Sequence, residues 1–252
     1  MKRLLVILML CSPAWASWSM TNQQDGASAS NPASAAAFTN ALTNPSLIVV
    51  LVSTEVSSGT TIATPTGSGS GNGAFQDCGP GKQLYQSSAA AFECFYVLNT
   101  QTTASYVVSE PNSGGENMRV VAEEWTGGAT SSIITGSPVG VQNQTTGTGG
   151  GQNETVGPTT PVPNGALIIG GQTAAGGTIT AGAGFSGNYG VSEYMEYLVQ
   201  STAAAISATW NNGTNNESYA AVVVAFKPAT GASGNCASCD LSEVIYPMEL
   251  NP

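Results

Sequence analysis

Residues 219–226 read YAAVVVAF and residues 47–53 read LIVVLVS. Each run is rich in β-branched residues, too short for a helix, and bounded by Gly, Pro or Asn, which is the pattern of a strand buried in a sheet. ALIIGG at 166–171 reads the same way. Five further runs join them: FECFYVL (92–98), SYVVSE (105–110), RVVAEEW (119–125), VSEYMEYLV (191–199) and AISATW (205–210). Between them lie TGSGSGNG (66–73), NSGG (112–115) and TGTGGGQN (146–153), all turn compositions. Many strands, Gly/Asn-rich turns and no amphipathic helix predict an all-β chain, an antiparallel two-sheet β-sandwich of the jelly-roll kind. The Ala-rich stretch at 33–37 fits either a helical turn or a first edge strand.

The ends read differently from this body. Lys2 and Arg3 precede LLVILML at 4–10, and Ala14-Trp15-Ala16 places small residues where a signal peptidase reads them. Residues 1–16 are therefore expected to be a signal peptide. Seven strongly apolar residues are too few for a membrane span, which needs about 20. Cys11 follows Leu10 rather than a small residue, so a lipoprotein anchor is not indicated. Residues 17–229 form the expected sandwich, read as one domain because no composition break divides it. Residues 230–252 are expected to form a flexible tail carrying Cys236 and Cys239. The predicted location is secreted, extracellular or at the cell surface, with the periplasm as the alternative.

Composition excludes several chemistries. The chain has no histidine and a net charge of −10, and beyond Lys2 and Arg3 its only basic residues are Lys82, Arg119 and Lys227. An acidic chain without a basic patch repels phosphate backbones, so nucleic acid is not an expected partner. Serine hydrolysis lacks its imidazole base, and no S-x-x-K motif supplies a lysine in its place. TGTGGG at 146–151 lacks the lysine of a phosphate loop. Charged residues are only 8% of the chain, so its surface is largely uncharged Ser, Thr, Asn, Gln and Gly.

In order, LIVVLVS (47–53), FYVLN (95–99), VVAEEWTGG (120–128), PNGALIIGG (163–171), GFSGN (184–188), EYMEYLV (193–199), ISATW (206–210) and YAAVVVAFKP (219–228) form a series. It resembles a widespread class of bacterial secreted jelly-roll domains. That class has an "A-E-aromatic-S/T-G" strand, a "small-Asn-x-Leu-Leu/Ile-hydrophobic-Gly" strand, an "E-aromatic-x-hydrophobic-V" strand and a closing strand ending F-K. The resemblance spans roughly residues 40–229. It implies the architecture of carbohydrate-binding and lectin-like sandwiches, in a class whose members generally have no assigned activity. One fold hosts many functions, so the resemblance speaks to fold before function.

Carboxylates are the remaining source of catalysis. Glu123 and Glu124 are adjacent in a strand and must point to opposite faces, as must Glu193 and Glu196. A cross-strand pair such as Glu124 with Glu196 is the one arrangement that could serve a glycosidase. The blander alternative, and the preferred one, is a structural carboxylate accepting hydrogen bonds inside the sandwich. Trp125, Tyr194, Tyr197 and Trp210 fall in or beside the later strands, where they fill a core or, for one or two, offer a sugar a stacking face. The candidate ligand-binding set is thus Trp125, Tyr194, Tyr197, Trp210, Glu124 and Glu196. No cofactor is expected. Loop carboxylates and carbonyls could hold a calcium ion, but the absence of a D-x-D-x-D run leaves it no assigned site.

Cys78 and Cys94 flank a loop containing Gly79-Pro80-Gly81, so a disulfide closing a hairpin-like excursion is expected. Cys236 and Cys239 are expected to pair locally. A four-Cys zinc site, a redox motif and cross-pairing between tail and domain remain the alternatives. The leading functional expectation is a non-enzymatic secreted protein that binds carbohydrate or another surface polymer. The alternatives are a self-associating structural subunit of an extracellular assembly, and third, a glycoside hydrolase.

Overall fold

The computed structural model describes residues 18–28, 33–55, 62–68, 73–78, 81–85, 90–99, 102–111, 116–136, 140–142, 153–159, 161–174, 178–188, 193–211 and 218–228. Residues 1–16, expected to be a signal peptide, and the expected tail with Cys236 and Cys239 lie outside them. Among the described residues there is no helix, and every strand pairing is antiparallel. The chain is an all-β sandwich.

The first half supplies β1 (Ser19–Ser28), β2 (Ala33–Ser34), β3 (Ser46–Glu55), β4 (Thr66–Gly67), β5 (Gln76–Asp77), β6 (Gln83–Tyr85), β7 (Ala90–Asn99), β8 (Val108–Glu110) and β9 (Glu116–Thr126). These make a large sheet, β1-β9-β3-β7-β5 with β6 also on β7, and a small one, β2-β8-β4. Gly127, at φ 87°, turns the chain into the second half. There follow β10 (Gly128–Gly136), β11 (Gly140–Gln142), β12 (Asn153–Val156), β13 (Leu167–Ala174), β14 (Thr180–Ala181), β15 (Ser186–Asn188), β16 (Glu193–Val199), β17 (Ala208–Asn211) and β18 (Tyr219–Pro228). They make a second large sheet, β10-β18-β13-β16-β15 with β11 also on β18, and a second small one, β12-β17-β14.

The wiring therefore runs twice. β3 lies between β7 and β9 as β13 lies between β16 and β18, and β8 lies between β2 and β4 as β17 lies between β12 and β14. Register repeats with it. Leu47 is flanked by Leu98 and Trp125, and Leu167 by Val199 and Phe226. In the small sheets Ser34 faces Ser109 as Thr155 faces Thr209.

The four sheets stack as small, large, large, small, with three apolar layers between them. The central layer joins Leu47, Val49, Leu51, Val121 and Trp125 to Leu167, Ile169, Met195, Val222, Val224 and Phe226. The alternate residues Ile48, Val50 and Val52 pack outward with Phe38, Tyr106 and Val108. Ile168, Ala221, Val223 and Ala225 pack outward with Val156, Ala208 and Trp210. Both faces of β3 and β18 are covered, which is why their sequences are apolar at nearly every position rather than at alternate ones. Burying each such Val, Leu or Ile contributes about 1.5–3 kcal/mol over leaving it exposed. Gly171 has a packing reason: a Cβ there would lie 2.7 Å from Leu51 of the opposite sheet.

The structure adds strands that periodicity misses. β1 reads SMTNQQDGAS and carries almost no apolar signal. It is an edge strand held to β9 partly by side chains, Gln23 Nε2 donating to Glu123 (2.8 Å) and Thr21 Oγ1 to Glu124 (2.7 Å). Of the Ala-rich stretch, only Ala33–Ser34 is strand, and it is second in the chain, not first.

Cys78 and Cys94 form a disulfide with Cα atoms 5.3 Å apart, tying the end of β5 to β7. Closing a loop of that length stabilises by about 3 kcal/mol in the chain-entropy model. Replacing both with serine should lower the melting temperature by roughly 6–12 °C for a chain of this size. A calorimetric scan of the double variant checks this, and an unchanged midpoint would show that the bridge constrains little.

Candidate functional site

The β14–β17 ladder pairs Thr180 with Asn211 and Ala181 with Trp210, and stops there. Gly182 and Thr209 come next and lie close together: a Cβ on Gly182 would sit 2.0 Å from the Thr209 carbonyl oxygen. Glu196, reaching across from β16, takes the place of the next ladder bond. Its Oε2 accepts from the Gly182 N–H at 2.9 Å, and the Thr209 backbone also donates to its carboxylate. Tyr194, two residues earlier on the same face of β16, accepts the Ala181 N–H on its hydroxyl at 3.1 Å. Two side chains of the large sheet thus fix the last residues of the small one.

Above this junction is a cleft of about 420 Å³ lined by Thr155, Ala181, Gly182, Ala183, Thr209, Trp210 and Asn211. That volume is in the range of small-molecule sites. Its side chains offer two hydroxyls and an amide, and none of the lining residues is ionisable. Hydroxyls and amides both donate and accept, which suits a ligand that is itself a set of hydroxyls.

The six sequence candidates separate into three places. Tyr194, Glu196 and Trp210 converge beneath or beside the cleft. Trp210 is 1% exposed, so no ring face is available there. Trp125 and Tyr197 meet in the central layer as an edge-to-face pair with centroids 4.7 Å apart. Glu124 is fully buried on the far side of the first large sheet, accepting from Thr21, Asn22 and the Thr43 N–H. Glu124 and Glu196 therefore face away from each other with both large sheets between them. Packed sheets are about 10 Å apart, so the two carboxyls exceed the roughly 5–9.5 Å that glycoside hydrolysis uses. Sequence reading did not find Thr155, Gly182 and Thr209, because short hydroxyl and glycine residues carry no signal in a chain full of them.

Among the described residues no group of three or more His, Cys, Asp and Glu is placed to hold a metal ion. No helix of the described residues is long and apolar enough to cross a membrane. Protein-family models, curated proteins and solved structures were all compared with the chain, and none matches.

Burial dominates the electrostatics. Glu123, in the central layer, is pushed up to about 8 by burial, against the opposing hydrogen bonds from Trp125 and Gln23. Glu196 is pushed up to about 7 by burial, with the Gly182 and Thr209 backbone bonds acting against it. Glu93 on β7 also reaches about 7, through burial first and the Asp77 charge second, with Lys82 opposing. Tyr219, behind the cleft, rises to about 12, through burial and then Glu154, against a Thr155 backbone bond.

Folded values above the ordinary 4.5 mean that the folded state holds more protons than the unfolded chain between pH 4.5 and about 8. The associated stability is complete below pH 4.5 and is lost as pH rises through 7 to 8. Melting temperature should therefore fall steadily from pH 5 to pH 9, and Glu123→Gln should flatten the fall and melt higher than wild type at pH 8. A melting temperature that rises across this range would contradict the assignment.

Proposed function

We propose that the protein is an exported, non-enzymatic pair of jelly-roll sandwiches that binds a neutral carbohydrate polymer in the cleft over β12, β14 and β17. The observation that carries this reading is the cleft's lining: Thr155, Thr209 and Asn211 present only uncharged hydrogen-bonding groups, on a floor already fixed by Glu196 and Tyr194. A pre-fixed floor lowers the ordering cost of binding. The chain's net charge of −10 argues for a neutral ligand over an acidic one. The N-terminal signal pattern and the resemblance to secreted jelly-roll domains support the setting. The repeated strand order supports two jelly rolls in tandem, since a 1-9-3-7 sheet backed by a 2-8-4 sheet is produced by Greek-key connections.

Affinity electrophoresis through gels containing neutral glucans, mannans and galactans, with a polyuronate as the acidic control, tests this reading. The protein should be retarded by at least one neutral polymer and not by the polyuronate. Thr155→Val with Thr209→Val keeps shape but removes two hydrogen-bonding groups of about 0.5–1.5 kcal/mol each, and should weaken retardation roughly tenfold. Retardation by no neutral polymer, or retardation indifferent to the double substitution, would overturn the proposal.

A further inference from the structure

Glu196 does not line the cleft, yet two of the groups that do line it are bonded to its carboxylate. It is fully buried on β16, with Oε2 on the Gly182 N–H and the Thr209 backbone also donating to it. Gly182 and Thr209 lie on opposite sides of the point where the β14–β17 ladder ends, so the carboxylate closes the gap between two strands. Its other oxygen, Oε1, is buried with no hydrogen-bond partner among the described residues. A buried oxygen without a partner weakens the hold on the charged form.

We propose that Glu196 is a positioning residue whose ionisation sets the shape of the cleft: as a carboxylate it draws the Gly182 and Thr209 backbones together, and as a carboxylic acid it lets them part. An ionised acceptor makes shorter and stronger N–H bonds than a neutral one, so gaining a proton loosens both strands at once. Burial places this titration at about 7, where modest changes of pH act on it. The groups packed around it do not compete for this role. Gly170 on β13 and Gly187 on β15 are its register partners, and Ala208 and Trp210 on β17 lie beside Gly170. The Tyr194 hydroxyl is engaged with Ala181. The other ionisable groups of that layer, Glu154 on β12 and Tyr219 on β18, interact with each other. Burial is the largest cause of the Glu196 shift, and the Gly182 and Thr209 backbone bonds act against it. The consequence for ligand is tighter binding above neutrality than below it, and that consequence rests on the cleft being the binding site.

Amide ¹H–¹⁵N spectra of the ligand-free full chain between pH 5 and 9 test the switch without any ligand. The Gly182 and Thr209 amide protons should move downfield together as pH rises, with one shared midpoint near 7. In Glu196→Gln both should stay near their low-pH positions at every pH. Flat Gly182 and Thr209 signals in the wild type, separate midpoints for the two, or a persisting titration in Glu196→Gln would each overturn the proposal. The wild-type titration decides even if the variant does not fold. Failure to bind any neutral polymer leaves these signals untouched, so loss of the binding reading and loss of the switch are separate results.

Discussion

The contact between the two large sheets is the constraint on which the rest depends. Strands β3 and β18 are apolar on both faces, so neither large sheet can leave a face in water. The inner faces cover one another, Leu51 seating against Gly171, and the outer faces need the small sheets as lids. The lids are short. Each central strand of a small sheet has three or four residues, far too few to stand alone, and each exists because a large sheet offers an apolar face beneath it. The cleft belongs to one of these dependent lids, and its floor is pinned by Tyr194 and Glu196 from the large sheet below.

Much of the fold was legible because two-sided burial writes itself into sequence. YAAVVVAF, LIVVLVS and ALIIGG all fall in central strands of the large sheets. The edge strand β1 was not legible. Its Thr, Asn and Gln side chains reach β9 carboxylates instead of packing in a core, and composition cannot tell such a strand from a loop. The repeated wiring was equally hidden. Leu47-Ile48-Val49 matches Leu167-Ile168-Ile169 in place and in character, but Val50-Leu51-Val52 corresponds to Gly170-Gly171-Gln172. The layers trade volume across the repeat, so topology persists where residue identity does not.

The site was legible only in part, for a related reason. Tyr194, Glu196 and Trp210 stood out because a large aromatic or a carboxylate in a strand demands explanation. They prove to be the supports of the cleft more than its surface. The residues that would meet a ligand, Thr155, Thr209 and Asn211, are of the commonest types in this chain, and only the geometry selects them. Glu123 and Glu124 illustrate the same limit from the other side. Adjacent in sequence, they project to opposite faces of β9, and both serve to hold β1. Glu123 and Glu124 accept from Gln23 and Thr21, pairing donors of β1 with acceptors of β9.

If the central layer binds both halves into one cooperative body, β3 and β18 must open together. Hydrogen exchange followed residue by residue under increasing denaturant measures this directly. The amides of Ser46–Glu55 and Tyr219–Pro228 should be the slowest in the chain. They should converge on a single free energy equal to that of global unfolding, with β12, β14 and β17 opening at lower cost. Exchange of β3 and β18 at two distinct free energies, each with its own denaturant dependence, would show two separately stable halves and contradict the account.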